Sequence, residues 1–121
     1  MGRILIVDDE EITRFTLREI LEVSGYSVTE ARNGKECIDL QKISPFDLII
    51  TDILMPEKDG IETIIHLKRD YPGIKIVAIS GGGNMDINEA LKFAQEFGAD
   101  RILAKPFSDE QLIEVVAEQL S

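Results

Sequence analysis

Short apolar runs alternate five times with segments that carry apolar residues at helical spacing. The runs begin near Ile4, Tyr26, Leu48, Ile74 and Ile102, and their length and β-branched content predict strands. The first, third and fourth runs are almost wholly apolar, as in strands covered on both faces, whereas the second alternates with polar residues, as in an edge strand. Strict alternation of strand and helix predicts parallel strands joined by right-handed crossovers. The pattern therefore predicts an α/β fold, a three-layer sandwich with a five-stranded parallel sheet between two layers of helices.

Glycine, proline and hydroxyl residues mark the predicted ends of the helices. Gly25 is expected to end the first helix in a left-handed conformation, and Asn33-Gly34 to open the second. The third helix should follow Gly60 and end before Pro72-Gly73. The segment Ser108-Asp109-Glu110-Gln111 fits a capping box at the start of the last helix. The stripe of the first helix that is predicted to face the core consists of Ile12, Phe15, Ile20 and Leu21.

The composition is that of a small acidic domain. The 121 residues and the hydrophobic content of 44% suit one compact domain over residues 1–121. A formal net charge of -10 disfavours direct binding to nucleic acid or to an anionic membrane. Since no apolar run approaches ~18 residues and the N-terminus lacks a signal-peptide pattern, we expect a cytoplasmic protein. The single cysteine, Cys37, is expected to be a core or near-surface residue rather than a reactive thiol.

Chemically active side chains directly follow four of the five apolar runs. They are Asp8 and Asp9, Asp52, Ser80 and Lys105. Because the carboxyl ends of parallel strands meet at one edge of a sheet, we expect these groups to share a pocket. Two carboxylates ~5 Å apart repel by roughly 3 kcal/mol at an effective dielectric near 20. One ammonium group against three carboxylates leaves an imbalance that a hard cation, Mg²⁺ or Mn²⁺, explains better than protonation or ion pairing.

These residues resemble the receiver domain of two-component response regulators, including its chemotaxis-regulator-like members. The resemblance covers nearly the whole chain. It rests on four segments in a specific order and spacing: Ile4 to Glu10, Asp52 to Gly60 with its Met55-Pro56 and Asp59-Gly60, Ser80, and Lys105-Pro106-Phe107. The resemblance implies the flavodoxin-like (βα)₅ fold with strand order 2-1-3-4-5. It also implies a phosphorylatable signalling domain rather than an enzyme, one that takes a phosphoryl group from a phosphohistidine donor.

The resemblance assigns the metal site and the nucleophile. Asp52 would be the phosphoacceptor that forms an aspartyl phosphate. Asp9 and Asp52 would bind Mg²⁺ directly, together with the backbone carbonyl of Leu54, while Asp8 would act mainly through metal-bound water. Leu54 offers no group that could orient an attacking water, so self-dephosphorylation is not expected to be specially accelerated.

The phosphoryl group itself would be bound by Lys105, by the Ser80 hydroxyl and by the Gly81 backbone N–H. The resemblance also implies a cis bond before Pro106, which sequence alone does not settle. The chain departs from the family at Ile102, where an aromatic residue is common, so an aromatic rotamer switch is not expected. The glycine-rich loop after Ser80, which contains Gly81-Gly82-Gly83, is expected to carry the conformational response instead.

The implied partners are a histidine kinase or histidine phosphotransferase and a downstream protein or a missing output domain. Phe107 is expected either at a docking surface for the donor or as a hydrophobic cap on the last helix. Arg14 and Arg18, one turn apart, either meet an acidic partner or are ordinary solvated charges.

Three other functions fit these residues less well. A pseudo-receiver would keep the fold as an interaction module without phosphorylation, but Asp52, Asp9, Ser80 and Lys105 are intact. A Mg²⁺-dependent phosphohydrolase with an aspartyl nucleophile usually has a second acid two residues after the nucleophile, where this chain has Leu54. A flavodoxin-like electron carrier is weaker still, because acidic residues stand where a hydroxyl-rich loop should hold the flavin phosphate.

Overall fold

A five-stranded parallel sheet lies at the centre of the structure, a computed structural model that describes residues 2–53, 59–80, 92 and 95–121. The strands are β1 (Arg3–Val7), β2 (Ser27–Ala31), β3 (Leu48–Asp52), β4 (Lys75–Ser80) and β5 (Arg101–Ala104). Their order is β2-β1-β3-β4-β5, and every neighbouring pair is parallel. The predicted α/β sandwich, its strand order and the edge position of β2 are confirmed.

Helices cover both faces of the sheet. The helices with defined bounds are α1 (Glu11–Val23), α2 (Gly34–Ile43), α3 (Asp59–Asp70) and α4 (Asp109–Leu120), and residues 92 and 95–97 are also helical. The predicted capping box is present, since the Ser108 side chain accepts from Gln111 N and the Gln111 side chain accepts from Ser108 N. Gly25 has a φ of 98°, which confirms the left-handed residue after α1. No helix in the described ranges is both long and apolar enough to cross a membrane.

Two apolar layers separate the sheet from its helices. Alternate residues of β1 illustrate this, because Ile4 and Ile6 pack on the face with α1 and α4, while Leu5 and Val7 pack on the face with α2 and α3. The other strands alternate in the same way. Burial on both faces explains the nearly continuous apolar runs of β1, β3 and β4, and it leaves the strand ends as the places where polar side chains gather.

The predicted inward stripe of α1 is only half right. Leu21 is fully buried and Ile20 packs partly against the core, as predicted, whereas Ile12 and Phe15 are 82% and 60% exposed. The buried residues of α1 are Arg14, Leu17 and Leu21. Arg14 can face inward because its guanidinium group has hydrogen-bond partners there.

Candidate functional site

The strands place four of the predicted site residues along one edge of the sheet. Asp8 directly follows β1, Asp52 and Ser80 are the last residues of β3 and β4, and Lys105 directly follows β5. Since β1, β3, β4 and β5 are consecutive neighbours, the four residues follow one another across the sheet in that order. The sequence-based expectation of a shared edge is therefore met by the backbone.

Asp8 is a buried carboxyl group with an incomplete set of partners. Its side chain is only 1% exposed, and Oδ1 accepts a hydrogen bond from the backbone N–H of Glu10 at 2.8 Å. Its Oδ2 is buried and has no hydrogen-bond partner among the described residues. Burial raises the pKa of Asp8 to about 6; the bond from Glu10 opposes that rise and the charge of Asp52 adds to it. An ionised Asp8 is therefore costly unless a cation balances it.

An acidic cluster surrounds this group. Carboxylate oxygens of Asp8, Asp9 and Glu10 all lie within 4.8 Å of one another, with Asp8 buried and the other two side chains exposed. Asp52, which is 7% exposed, adds a fourth carboxyl group close enough to influence Asp8 electrostatically. Glu10 did not figure among the predicted metal ligands. Its position immediately after Asp8-Asp9 was the only signal in the sequence that could have included it.

The residues present fit a hard divalent cation. Carboxylate oxygens are the ligands that Mg²⁺ and Mn²⁺ prefer, and the buried Oδ2 of Asp8 lacks a partner in the described part of the chain. Exposed Asp9 leaves room for water ligands, which Mg²⁺ usually retains. The cluster can therefore hold such an ion.

Lys105 reaches Asp52 across an intervening strand. Its Nζ lies 3.8 Å from Oδ2 of Asp52, although β4 separates β5 from β3. Two strand spacings amount to about 10 Å, so only a long side chain can bridge them. A separation of 3.8 Å exceeds the length of a charge-assisted hydrogen bond, about 2.8 Å. The Lys105 side chain is about one third exposed, and its ammonium group is attracted to Asp52 by charge without a short hydrogen bond between Nζ and Oδ2.

Ser80 and the start of the following loop are tied to β5. Ser80 is 2% exposed, and its carbonyl accepts a hydrogen bond from Lys105 N at 2.9 Å, which extends the β4–β5 ladder by one residue. The Lys105-Pro106 peptide bond is cis. Leu54, Gly81 and the remainder of the glycine-rich loop lie outside the described residues.

The backbone of Asp52 is in close contact with the start of α3. A Cβ atom at Gly60 would overlap the carbonyl oxygen of Asp52 and would lie 2.7 Å from Cα of Ile53. No side chain fits there without a backbone shift, so Gly60 allows α3 to approach the strand that carries Asp52. The sequence contained this glycine next to Asp59, but only the fold shows what it touches.

Arg14, expected to meet an acidic partner or to be an ordinary solvated charge, is instead buried beside the site. Its side chain is 10% exposed, Nη1 donates to the carbonyl oxygen of Asp8 at 2.8 Å, and Nε donates to Oε1 of Glu30 at 3.0 Å. A signal did exist, because Arg14 shares a helical stripe with Leu17 and Leu21. An arginine on an apolar stripe calls for a buried acceptor.

Comparison with known proteins places this site in context. The family model described as response regulator receiver domain matches residues 4–117. The transcriptional regulatory protein CpxR of Escherichia coli (strain K12) is 36% identical over 113 residues, which covers 93% of this chain and 47% of CpxR. The chemotaxis protein CheY of Halobacterium salinarum is 35% identical over 119 residues, covering 98% of this chain and 97% of CheY. The chain thus spans about half the length of CpxR and nearly all of CheY.

Solved structures show the same likeness. The signal receiver domain of a signal transduction histidine kinase from Syntrophus aciditrophicus has a TM-score of 0.86 and 34% sequence identity, with 99% of this chain and 90% of that chain covered.

Proposed function

We propose that this chain, which belongs to the family of response regulator receiver domains, accepts a phosphoryl group onto Asp52 from a phosphohistidine donor. As a member of that family it is a signalling domain of two-component systems. The observation that carries the proposal is the position of Asp52. Asp52 is the last residue of β3, a central strand whose residues are all buried. The acidic cluster lies on one side of its carboxyl group and Lys105 on the other.

The acidic cluster is proposed to hold Mg²⁺, with Mn²⁺ as a substitute. Asp9 and Asp52 would be direct ligands together with the carbonyl of Leu54, and Asp8 would act mainly through metal-bound water. The Oδ2 of Asp8, which has no hydrogen-bond partner in the described part of the chain, supports a role for this group toward a cation or its water. The ion would supply charge neutralisation, so that a carboxylate can approach a phosphoryl group despite its negative charge.

Lys105 and Ser80 are proposed to receive the phosphoryl oxygens. The ammonium group lies at 3.8 Å from Asp52 and is partly exposed, so a small movement would bring it to a phosphoryl oxygen on that residue. Ser80 is the last residue of β4, the strand next to the one that ends at Asp52. Its hydroxyl is proposed to donate to a second phosphoryl oxygen, and the Gly81 N–H to another. Donors held in place before the reaction lower the cost of binding the developing charge.

The donor is proposed to be a histidine kinase or histidine phosphotransferase that docks beside the acceptor. A groove of about 340 Å³ lies between α1 and the segment after β5, and Ile12, Pro106 and Phe107 are among its lining residues. Phe107 also packs partly against the core, so both roles considered for it are compatible with its position. Ile12 is 82% exposed, and Phe15 adds a second exposed apolar side chain on the same helix.

The downstream response is proposed to pass through the loop after β4, to a partner protein or an output domain. On β5, Ile102 packs against the apolar layer under α2 and α3 and is partly buried. A branched aliphatic side chain there offers no aromatic ring to swing inward. The signal must therefore use other elements, of which the loop that follows Ser80 is the nearest in sequence.

The test is phosphorylation by a small donor. Wild-type protein incubated with acetyl phosphate and Mg²⁺ should gain the mass of one phosphoryl group in intact-mass spectrometry, and EDTA should prevent the gain. Asp52→Asn, which keeps the size of the side chain and removes its nucleophilic charge, should remain unmodified. Ser108→Ala, a substitution of similar scale at a helix cap outside the site, is the matched control and should label like wild type. Absence of label on the wild type would indicate an unphosphorylated interaction module.

A further inference from the structure

We infer that Arg14 is a positioning residue for the metal site, because it fixes the peptide group that joins Asp8 to Asp9. The inference rests on the proposed Mg²⁺ site and adds a residue that touches neither the ion nor the phosphoryl group. Its basis is a pair of hydrogen bonds from one buried guanidinium group, one to the acidic segment and one to a neighbouring strand.

The first bond reaches the acidic segment through its backbone. Nη1 of Arg14 donates to the carbonyl oxygen of Asp8 at 2.8 Å, and the contact is buried. Asp8 lies just beyond β1, where the ladder to β2 ends with the bond from Asp8 N to the carbonyl of Ala31 at 3.2 Å. The carbonyl of Asp8, the backbone acceptor just beyond that last ladder bond, accepts from Arg14. The peptide that leads from Asp8 to Asp9 is therefore oriented by a side chain rather than by the sheet.

The second bond anchors the guanidinium group. Nε of Arg14 donates to Oε1 of Glu30 on β2, and the other oxygen of Glu30 accepts from Nη1 of Arg18 at 2.9 Å. The bond from Arg18 is the main cause that lowers the pKa of Glu30, and the bond from Arg14 acts in the same direction. Glu30 therefore stays ionised at neutral pH. The planar guanidinium group of Arg14 thus connects Glu30 on β2 to the carbonyl of Asp8.

Together with Glu10, Arg14 holds Asp8 at two points. The carboxylate of Asp8 accepts from Glu10 N, while its carbonyl accepts from Arg14. Fixing both groups sets the direction in which the backbone continues from Asp8 to Asp9. That direction in turn determines where the exposed carboxylate of Asp9 lies. Outer partners of metal ligands typically change metal affinity by about 10–100-fold when removed.

A purely electrostatic effect of Arg14 and a positioning role predict opposite changes in Mg²⁺ affinity when this arginine is removed. Removing a positive charge near a cation site should tighten Mg²⁺ binding if only Coulomb forces act. Loss of the fixed peptide should weaken binding, because the ion must then order the segment itself. The sign of the change in affinity therefore separates the two explanations.

The experiment is calorimetric titration of MgCl₂ into wild type, Arg14→Met and Arg18→Met near neutral pH at constant ionic strength. Arg18→Met is the matched control, since it removes the same charge from the same helix and also removes a partner of Glu30, whereas the hydrogen bonds of Arg18 in the described structure go to Glu22 and Glu30 and not to Asp8. We expect Arg14→Met to bind Mg²⁺ about 10-fold or more weakly. We expect Arg18→Met to stay within about 2-fold of wild type or to bind slightly more tightly.

Further measurements keep the outcomes distinct. Urea unfolding of each variant shows that binding is measured on folded protein, and a purely structural role for Arg14 would lower stability while leaving the Kd of the folded fraction unchanged, which would overturn the inference. If Arg14→Met does not fold, Arg14→Lys replaces it. That variant keeps the positive charge but cannot reproduce both guanidinium hydrogen bonds. It should bind Mg²⁺ more weakly than wild type, and unchanged or tighter binding would overturn the inference. A wild type that does not bind Mg²⁺ would instead overturn the proposed metal site itself.

Discussion

Replacing Asp8 with asparagine should stabilise the protein in the absence of Mg²⁺. The substitution removes one ionisable oxygen from a side chain that is 1% exposed and keeps its size and its acceptor for Glu10 N. An ionised carboxylate at this position is costly because it is buried, one of its oxygens has no partner among the described residues, and Asp52 repels it. The neutral amide removes the cost of the buried charge and the repulsion by Asp52.

The size of the effect follows from the pKa of Asp8. Folding raises that pKa from 3.8 to about 6, so the folded protein binds the proton more tightly than the unfolded chain. The stability associated with that proton is present in full below pH about 4 and is lost as the pH rises through about 6. At 1.36 kcal/mol for each pKa unit, the loss is about 3 kcal/mol. For a chain of this length that corresponds to about 10 °C in Tm.

The assay is urea unfolding followed by circular dichroism in EDTA, at several pH values, for wild type and Asp8→Asn. The difference in free energy of unfolding between the two proteins isolates Asp8 from other carboxyl groups, such as Glu30 and Glu36, whose lowered pKa values act in the opposite direction. The difference should be near zero below pH about 4 and should grow in favour of Asp8→Asn to about 3 kcal/mol above pH about 7.

Two results would refute the reasoning. One is an Asp8→Asn variant that is no more stable than wild type above pH about 7; the other is a difference that does not vary with pH. Asp9→Asn is the matched control, because the neighbouring side chain is exposed and its neutralisation should change stability by much less. Saturating Mg²⁺ should stabilise wild type, by about 2.7 kcal/mol at 100 times its Kd, and Asp8→Asn by less.

Two further predictions concern packing. Gly60→Ala should destabilise the protein by about 1–3 kcal/mol in urea unfolding, because its methyl group would overlap the backbone of Asp52. Gly73→Ala, where nothing lies within 4 Å of the new methyl group, should change stability by about 0.5 kcal/mol or less, and equal losses for the two variants would contradict the assigned cause. Cys37 is 0% exposed and burial raises its pKa to about 12, so a thiol reagent should label it only after unfolding in urea, and rapid labelling of the native protein would contradict this.

The order of elements was available from the sequence because it is encoded locally. Apolar runs, helical spacing, the capping box at Ser108 and the left-handed Gly25 each depend on residues close together in the chain. Parallel strands then bring their carboxyl ends to one edge by rule, so Asp8, Asp52 and Lys105 could be grouped without knowledge of any distance. Cys37 was expected to be a core or near-surface residue from its type, and it is buried.

The tertiary structure decided which side of α1 faces the sheet. Leu21 is buried as predicted, but Arg14 and Leu17 share its inward face in place of Ile12 and Phe15. The acceptors of Arg14 are the carbonyl of Asp8 on the preceding segment and a carboxylate on β2, and no local pattern pairs Arg14 with Glu30. Sequence periodicity ranks stripes by hydrophobicity, whereas burial of a charge depends on partners that only the fold brings within reach.

The same distinction applies to the chemistry of the site. The sequence by itself determined which acids, hydroxyl and amine stand at the strand ends, since each follows an apolar run directly. Only the tertiary structure decided that Asp8 is buried with a raised pKa, that Lys105 reaches across β4 to Asp52, and that Gly60 lies against the Asp52 backbone. Those properties depend on solvent exclusion and on distances between residues far apart in the chain, which residue types and their local spacing do not encode.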